Sequence, residues 1–328
     1  MKIKASLILT VAALALSGSA LAEVKIALVA KSLGNGFFEA ANAGAQQAAK
    51  ELGDVKVIYT GPTTTTAEAQ IDVLNGLIAQ GVDAIAISAN DPDAVVPVLK
   101  KAMQRGIKVV SWDSGVAPAG RQIHLNPSNN ALIGETNVKL AADALKALNV
   151  EKGEVAVLSA TPTSTNQNTW IAEMKKVLPK YPSVNLVTVA YGDDLSDKSY
   201  READGLLKTY PELKVIVSPS SVGIVAAAQA VKDQGKIGKV YVTGLGLPSE
   251  MAGAVKSGAS KSFAIWNPID LGYAATYLAD DLVKGTATKG EASMGKLGKV
   301  KLDADGNGAM AEPFVYDASN IDKFSKIF

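Results

Sequence analysis

Lys31 stands just ahead of Gly34-Asn35-Gly36-Phe37-Phe38, a glycine turn that leads into a helical pattern opening on two aromatics. The N–H groups of such a turn can meet oxygens, and a flat ring can lie against an apolar face; one of Phe37 and Phe38 is expected in the core and the other at a ligand. Asp113, in Ser111-Trp112-Asp113-Ser114-Gly115, carries a carboxylate that can accept two hydrogen bonds from neighbouring hydroxyls. Its bland alternative is an ion pair with Lys31 or Arg121. Asp91, in Asn90-Asp91-Pro92-Asp93, offers a second carboxylate that could equally cap the helix behind it. Thr161-Pro162-Thr163-Ser164-Thr165-Asn166-Gln167-Asn168-Thr169-Trp170 supplies amides, hydroxyls and an indole, of which Asn166, Gln167 and Trp170 are the candidates; Asn166 could also be a helix cap. Pro219-Ser220-Ser221 presents carbonyls and hydroxyls, with Pro219 and Ser221 as candidates. Trp266-Asn267 precedes Pro268, which holds Asn267 extended and lets its amide reach outward. Neutral amides, hydroxyls, one carboxylate and one ammonium suit a polyol, whereas a phosphate would ask for a glycine-rich loop with clustered cations.

Composition removes much of the competing chemistry. The 328 residues include no cysteine and a single histidine, so disulfides, thiolate metal sites and cysteine nucleophiles are excluded and proton-transfer catalysis has little material. Lysine plus arginine number 33 against 32 acidic residues, which speaks against nucleic acid held by bulk electrostatics. No cofactor motif is readable: Gly244-Leu245-Gly246 is too short for a dinucleotide site and there is no P-loop. Asp303-Ala304-Asp305-Gly306-Asn307-Gly308 imitates the opening of a calcium loop, but the acid due at position twelve would fall at Phe314, so a hairpin turn is expected and no metal is assigned. His124 is expected to be structural, near a crossing between domains. Nothing here assembles a nucleophile with a base, and the chain is expected not to be an enzyme.

These residues need elements to place them. Four apolar, β-branched runs begin at Lys25, Val55, Ala84 and Lys108, and four more at Glu154, Asn185, Val215 and Lys239; the intervals are 30, 29 and 24 residues in the first set and 31, 30 and 24 in the second. Continuous apolar runs are how parallel strands covered on both faces read. Helical patterns separate them, at 37–52, 67–80 and 92–105 in the first half and 167–178, 197–210 and 222–234 in the second. A strand–helix unit of about 30 residues, found twice over with matched spacing, specifies an α/β chain of two doubly wound parallel-sheet lobes. In such sheets ligands sit beyond the carboxyl ends of the strands, which is where the candidates lie. At the other end, Met1-Lys2-Ile3-Lys4, an apolar stretch to Ser17 and Ala20-Leu21-Ala22 read as a cleaved signal peptide over 1–22. Without a cysteine after it, no lipid anchor is expected.

VAKSLGNGFFEAANAGAQQAAKELG, AISANDPDAVVPVLKKAMQRGIKVVSWDSG, TPTSTNQNTW and FAIWNPIDLGYAATYLADDLVKG resemble the periplasmic sugar-binding proteins of ABC importers, over essentially the whole chain after the signal. The resemblance is to the branch with rhamnose-binding proteins and autoinducer-2 receptors, and AEPFVYDASNIDKFSKIF is similar to the former. It implies a type I periplasmic binding protein whose lobes, 23–125 plus 267–290 and 126–266 plus 291–328, are joined by a three-segment hinge. It further implies a monomer that closes on a monosaccharide, L-rhamnose first, and hands it to a membrane permease with a separate ATPase; a chemoreceptor is a further partner. In the autoinducer-2 branch the lysine after strand one and the aspartate of WDS match Lys31 and Asp113. An Asp-Gln pair there is Asn166-Gln167 here, and a Trp-Asp is Trp266-Asn267, which implies a less acidic pocket suited to a neutral deoxyhexose. Autoinducer-2 and other deoxy or pentose sugars are the alternatives.

Overall fold

The computed structural model describes residues 23–288 and 290–328, so the signal peptide expected at 1–22 lies outside the described residues. The first half alternates β1 (Val24–Val29), α1 (Gly36–Leu52), β2 (Val55–Thr60), α2 (Ala67–Gln80), β3 (Ala84–Ile87), α3 (Val96–Gln104) and β4 (Lys108–Trp112), then adds β5 (Ile123–Ser128). The second runs α4 (Asn130–Ala147), β6 (Gly153–Ser159), α5 (Thr165–Val177), β7 (Val184–Tyr191), α6 (Ser196–Thr209), β8 (Leu213–Ser218), α7 (Ser221–Asp233), β9 (Tyr241–Gly244), α8 (Pro248–Ser257) and β10 (Ser262–Ile265). The chain then returns through α9 (Pro268–Lys284), β11 (Glu291–Ser293), β12 (Lys299–Lys301), β13 (Asn307–Ala311), β14 (Phe314–Asp317) and α10 (Ile321–Phe324).

Two parallel sheets result. The first has the order β13-β5-β4-β3-β1-β2 and the second β7-β6-β8-β9, with a bridge from Leu245 to Ala264 adding β10 and, antiparallel to it, β14. Both sheets are covered on two faces, and the alternation of side chains along each strand decides which helices each residue meets. In the first sheet Ile26, Leu28, Ala84, Ala86 and Val110 pack with Phe38, Ala41, Leu271 and Ala275 of α1 and α9. Ala27, Val29, Ile85, Ile87 and Val109 face the other way, onto Leu74, Ile78 and Leu99 of α2 and α3. In the second sheet Val155, Val157, Val215 and Val217 meet Val138, Leu145 and Met174 of α4 and α5, while Leu158, Ile216 and Val242 meet Leu206, Ile224 and Val231 of α6 and α7.

Helices α1 and α9 approach backbone to backbone. A Cβ on Gly44 would lie 1.7 Å from the carbonyl oxygen of Ile269, and one on Gly272 would lie 1.9 Å from that of Ala41. Only glycine allows this crossing, which draws the return helix tightly against the helix that begins with Phe37 and Phe38.

Strand β5 pairs with β4 as far as Leu125, where the first crossing is expected, and beyond it only with β13, as far as Ser128, before Asn129 caps α4. Strand β13 pairs in parallel with β5, His124 opposite Asn307 and Ser128 opposite Ala311, so 307–311, expected in the second lobe, lies in the first sheet, while β11 and β12 pair only with each other. The turn expected at 303–308 forms, with Gly306 N–H donating to the Asp303 carbonyl at 3.0 Å, Asp303 N–H to that of Asn307 at 2.9 Å, and the Asp303 carboxylate accepting from the backbone N–H groups of Asp305 and Asn307 at 2.9 and 2.8 Å, but β12 and β13 either side of it do not pair as strands. Arg121 holds this turn, donating to the carbonyl of Asp305 at 2.9 Å and to Asn307 Oδ1 at 2.6 Å. His124 is buried beside it, with Nδ1 against the Ser111 hydroxyl at 2.9 Å and Nε2 against Asn126 Oδ1 at 3.1 Å. Burial, then the Arg121 charge, push its pKa down to about 4.

Two outcomes follow. Gly44→Val forces the α1–α9 backbones apart and is expected to cost about 3 kcal/mol or more of unfolding free energy, read from urea denaturation. His124 is kept neutral in the folded state while the unfolded chain protonates it near 6.5, so its contribution to stability is present above pH 6.5 and lost as the pH falls from there towards 4. His124→Gln should therefore flatten the decline of melting temperature in that window; an unchanged slope would show that this imidazole is not the group responsible.

Candidate functional site

The carboxyl ends of both sheets open onto one cavity. It is lined from the first sheet by Lys31, Asn35, Phe37, Phe38 and Asp113, and from the second by Asn166, Gln167, Trp170, Asp194, Pro219, Ser220, Ser221, Leu245 and Ile265, with Trp266 at the crossing between them. The loops after β1 and β4 place Lys31 and Asp113, and α1 and α5 begin at the cavity because Asn35 and Ser164 end the loops that feed them. Asn35 caps α1 by accepting from the N–H of Phe37 at 3.0 Å.

A chain of hydrogen bonds crosses the cavity. Asn166 donates from Nδ2 to Asp113 Oδ1 at 2.9 Å, and its Oδ1 accepts from the Lys31 ammonium at 3.3 Å. Lys31 also donates to the Ser164 hydroxyl at 2.8 Å and stands 4.0 Å from Asp194. Asp113 accepts on its other oxygen from Ser88 at 2.8 Å. It is 4% exposed; burial pushes its carboxyl pKa up, and the Lys31 charge and the bonds from Ser88 and Asn166 pull it back. The ion pair of Asp113 with Lys31 or Arg121 weighed above is not formed, since the ammonium reaches Asp194 and the guanidinium is committed to the 303–307 turn.

Asp113 and Asp194 also share a backbone conformation. Their φ angles are 55° and 54°, in the left-handed region that side chains other than glycine, asparagine and aspartate enter at a cost of about 1 kcal/mol or more. Held there, both carboxylates reach the cavity.

The floor is aromatic. Phe37 and Phe38 meet edge to face at 5.3 Å, Phe37 meets Trp266 at 6.3 Å, and Trp266 meets Trp170 at 5.5 Å. Both phenylalanines line the cavity, so the division into one core and one ligand-facing ring is replaced by two half-core walls. Trp170 spends its indole N–H on Asn130 at 2.9 Å, whereas that of Trp266 is buried with no partner.

Two candidates lie elsewhere. Asp91 accepts from the backbone N–H groups of Asp93 and Ala94, both at 2.9 Å, and caps the turn before α3. Asn267 caps α9 through the N–H of Ile269 at 3.0 Å and donates to Asp270, because the extended conformation imposed before Pro268 suits an N-cap. Gln167 lines the cavity, yet its Oε1 is held by the Ser159 hydroxyl at 2.9 Å and the Ala160 N–H at 2.7 Å, which makes it a brace for the end of β6. Asn35, Asp194, Ser220, Leu245 and Ile265 were not anticipated. The signal for Asp194 was legible as Gly192-Asp193-Asp194 directly after a strand; its presence replaces the expected single carboxylate by two. Leu245 and Ile265 read as ordinary strand residues and carry no such mark.

Around the polar chain three threonine hydroxyls tie one lobe to the other: Thr65 donates to the carbonyl of Asp193 at 2.9 Å, Thr163 to that of Asn90 at 2.9 Å and Thr165 to that of Gly115 at 3.0 Å. The lobes are thus in contact across the cleft.

The chain matches the family model described as periplasmic binding protein domain over residues 26–287. It is 30% identical over 225 residues to the D-ribose/D-allose-binding protein of Pseudomonas aeruginosa, covering 67% of this chain and 70% of that one. Among solved structures it is similar to an ABC transporter solute-binding protein of Clostridium phytofermentas with bound L-rhamnose, at 38% identity and a TM-score of 0.86, covering 93% of this chain and 99% of the other. It is also similar to LsrB of Clostridium saccharobutylicum in complex with AI-2, at 25% identity and a TM-score of 0.87, covering 92% and 99%. Two lobes of parallel sheet, a cavity of hydroxyls, amides and aromatics between them, and these likenesses identify the chain as a member of the periplasmic binding protein family with a type I fold, the sugar-binding component of an ABC transporter.

Proposed function

We propose that this protein binds L-rhamnose in the cavity between its lobes, without turnover, and delivers it from the periplasm to a membrane permease served by a separate ATPase. The observation that carries the reading is the buried chain Lys31–Asn166–Asp113 lying over an aromatic floor. A monosaccharide has the matching two-sidedness, with hydroxyls around the ring and C–H faces above and below it. Its hydroxyls would take over the partners that these side chains now give one another: Asp113 and Asp194 accepting, Lys31 and the Trp266 indole donating, Asn166 doing both. The position at which the autoinducer-2 branch carries an acid is the amide Asn166, which favours a neutral sugar. The 38% identity to a rhamnose-bound structure supports the same ordering.

The lobes would be 23–128 plus 268–311 and 129–265 plus 314–328, with hinges at Ser128–Asn129, Trp266–Asn267 and Glu312–Pro313. The sugar shifts the population towards closure because only the closed form offers both rims at once. The monomer would then present both lobe surfaces to the permease, and a chemoreceptor could read the same surface.

Calorimetry across L-rhamnose, D-ribose, D-allose and autoinducer-2 tests the ligand: rhamnose should bind tightest and raise the melting temperature most. Binding of autoinducer-2 or ribose in its place overturns the assignment. Asp113→Asn keeps the size and the left-handed backbone but removes the charge, and should weaken rhamnose by about 30-fold or more while leaving the unliganded melt near that of the parent. Thr165→Val loses a closure contact that never touches the sugar; a loss of about fivefold, seen as faster release in stopped-flow fluorescence, is expected.

A further inference from the structure

The polar groups of the cavity are unevenly distributed. On the wall from the second sheet, Leu245 and Ile265 stand together where β9 and β10 end, each 2% exposed, with the ring of Pro219 as a third side chain free of hydrogen-bonding atoms. Gly246 N–H donates to the Ala264 carbonyl at 3.1 Å and locks the two strand ends in register, while Leu245 N–H donates to the Ser218 carbonyl at the end of β8 at 2.9 Å. The Thr243 hydroxyl donates to the Ser262 carbonyl at 2.8 Å and holds the same two strands below. The N–H groups of Leu245 and Gly246 and the Ala264 carbonyl are therefore spent, and the aliphatic pair belongs to the same apolar cluster as Phe37, Phe38 and Trp266.

We propose that Leu245 and Ile265 are specificity-determining residues that select a deoxygenated ring substituent, the C6 methyl of a 6-deoxyhexose, over a hydroxymethyl group. This rests on the sugar-binding reading above and goes beyond it by assigning one side of the ligand to one wall. A methyl group against this wall is transferred from water to hydrocarbon. A hydroxymethyl group in the same place would bury its oxygen against aliphatic side chains, beside N–H groups that are already used. The hydrogen-bonding groups lie elsewhere: the rim from the first sheet brings Lys31 and Asp113, Asn166 bridges them, and the aromatic floor offers flat faces to the C–H side of the ring. The ring hydroxyls belong with those groups, which leaves the aliphatic wall to the one carbon without oxygen.

L-Rhamnose and L-mannose differ only in the hydroxyl at C6, so the ratio of their dissociation constants isolates the effect. For the native chain, calorimetry should give a preference for rhamnose of about tenfold to a hundredfold, the range open to an apolar pocket discriminating against an added hydroxyl. Leu245→Ser and Ile265→Thr should bring the ratio to within about threefold, while Leu245→Ala, which stays apolar, keeps the preference at reduced affinity. Asp113→Asn should weaken both sugars alike. Equal binding of the two sugars by the native chain overturns this inference and leaves the sugar-binding reading standing, and the native ratio settles that point even if a variant fails to fold. A preference that survives both polar substitutions also overturns it. Failure of the native chain to bind either sugar overturns the rhamnose reading and the wall's role together.

Discussion

An amide held between an ammonium and a carboxylate, all three buried, governs the geometry of the cleft. Asn166 can donate to Asp113 and accept from Lys31 at once because the amide has both functions on one rigid plane. Neither charge is left unsatisfied by burial, and no direct ion pair is needed between them. Since Asn166 comes from the second sheet and the other two from the first, this hydrogen bonding exists only when the lobes meet. It is also interchangeable with a ligand's hydroxyls, which combine donor and acceptor in the same way. A direct Lys31–Asp113 pair would have left less for a hydroxyl to replace, and removing either partner of a buried pair is costly.

The rest of the site follows from parallel sheets. Every strand of a parallel sheet ends on the same side, so Lys31 after β1, Asp113 after β4, Asp194 after β7 and Ser220 after β8 converge without any long excursion of the chain. Helices α1 and α5 begin beside them and contribute Phe37 and Asn166 from their first turns and Trp170 from the second turn of α5. The aromatic rings serve two purposes there. They seal the first apolar cluster against the cleft and they give a sugar ring a flat surface. Two carboxyl groups and one ammonium meet a neutral polyol through hydrogen bonds.

At the back of the cleft the chain ties itself down. Arg121, Asn307, Asp303 and His124 knit β13 to β5 beside the crossing, with the guanidinium and the imidazole both buried and both committed to partners. The turn at 303–308 thereby has a structural purpose in which its acids serve as acceptors for backbone N–H groups. A single histidine kept neutral by burial fits that purpose better than proton transfer, because a group whose pKa lies near 4 is not poised at neutral pH.

The twin α/β architecture was legible in the sequence because it depends on local regularities: apolar runs that alternate with helical periods at about 30-residue intervals, repeated with the same 24-residue final step. The identities of Lys31, Asp113 and Asn166 as strand-end and first-turn polar groups could be read in the same way, since position at the end of a strand is a one-dimensional property. What only the tertiary structure decided depends on long-range pairing. β13 joins β5 from about 180 residues away, a pairing that no periodicity announces, and it puts 307–311 in the first sheet. Asn267 and Asp91 have the right chemistry in the right kind of loop, but nearby backbone N–H groups claimed them first, a competition settled by local φ and ψ. Leu245 and Ile265 were invisible for the opposite reason. An aliphatic strand residue looks the same in sequence whether it faces a helix or a ligand, and only the closing of two sheets over a shared cavity tells them apart.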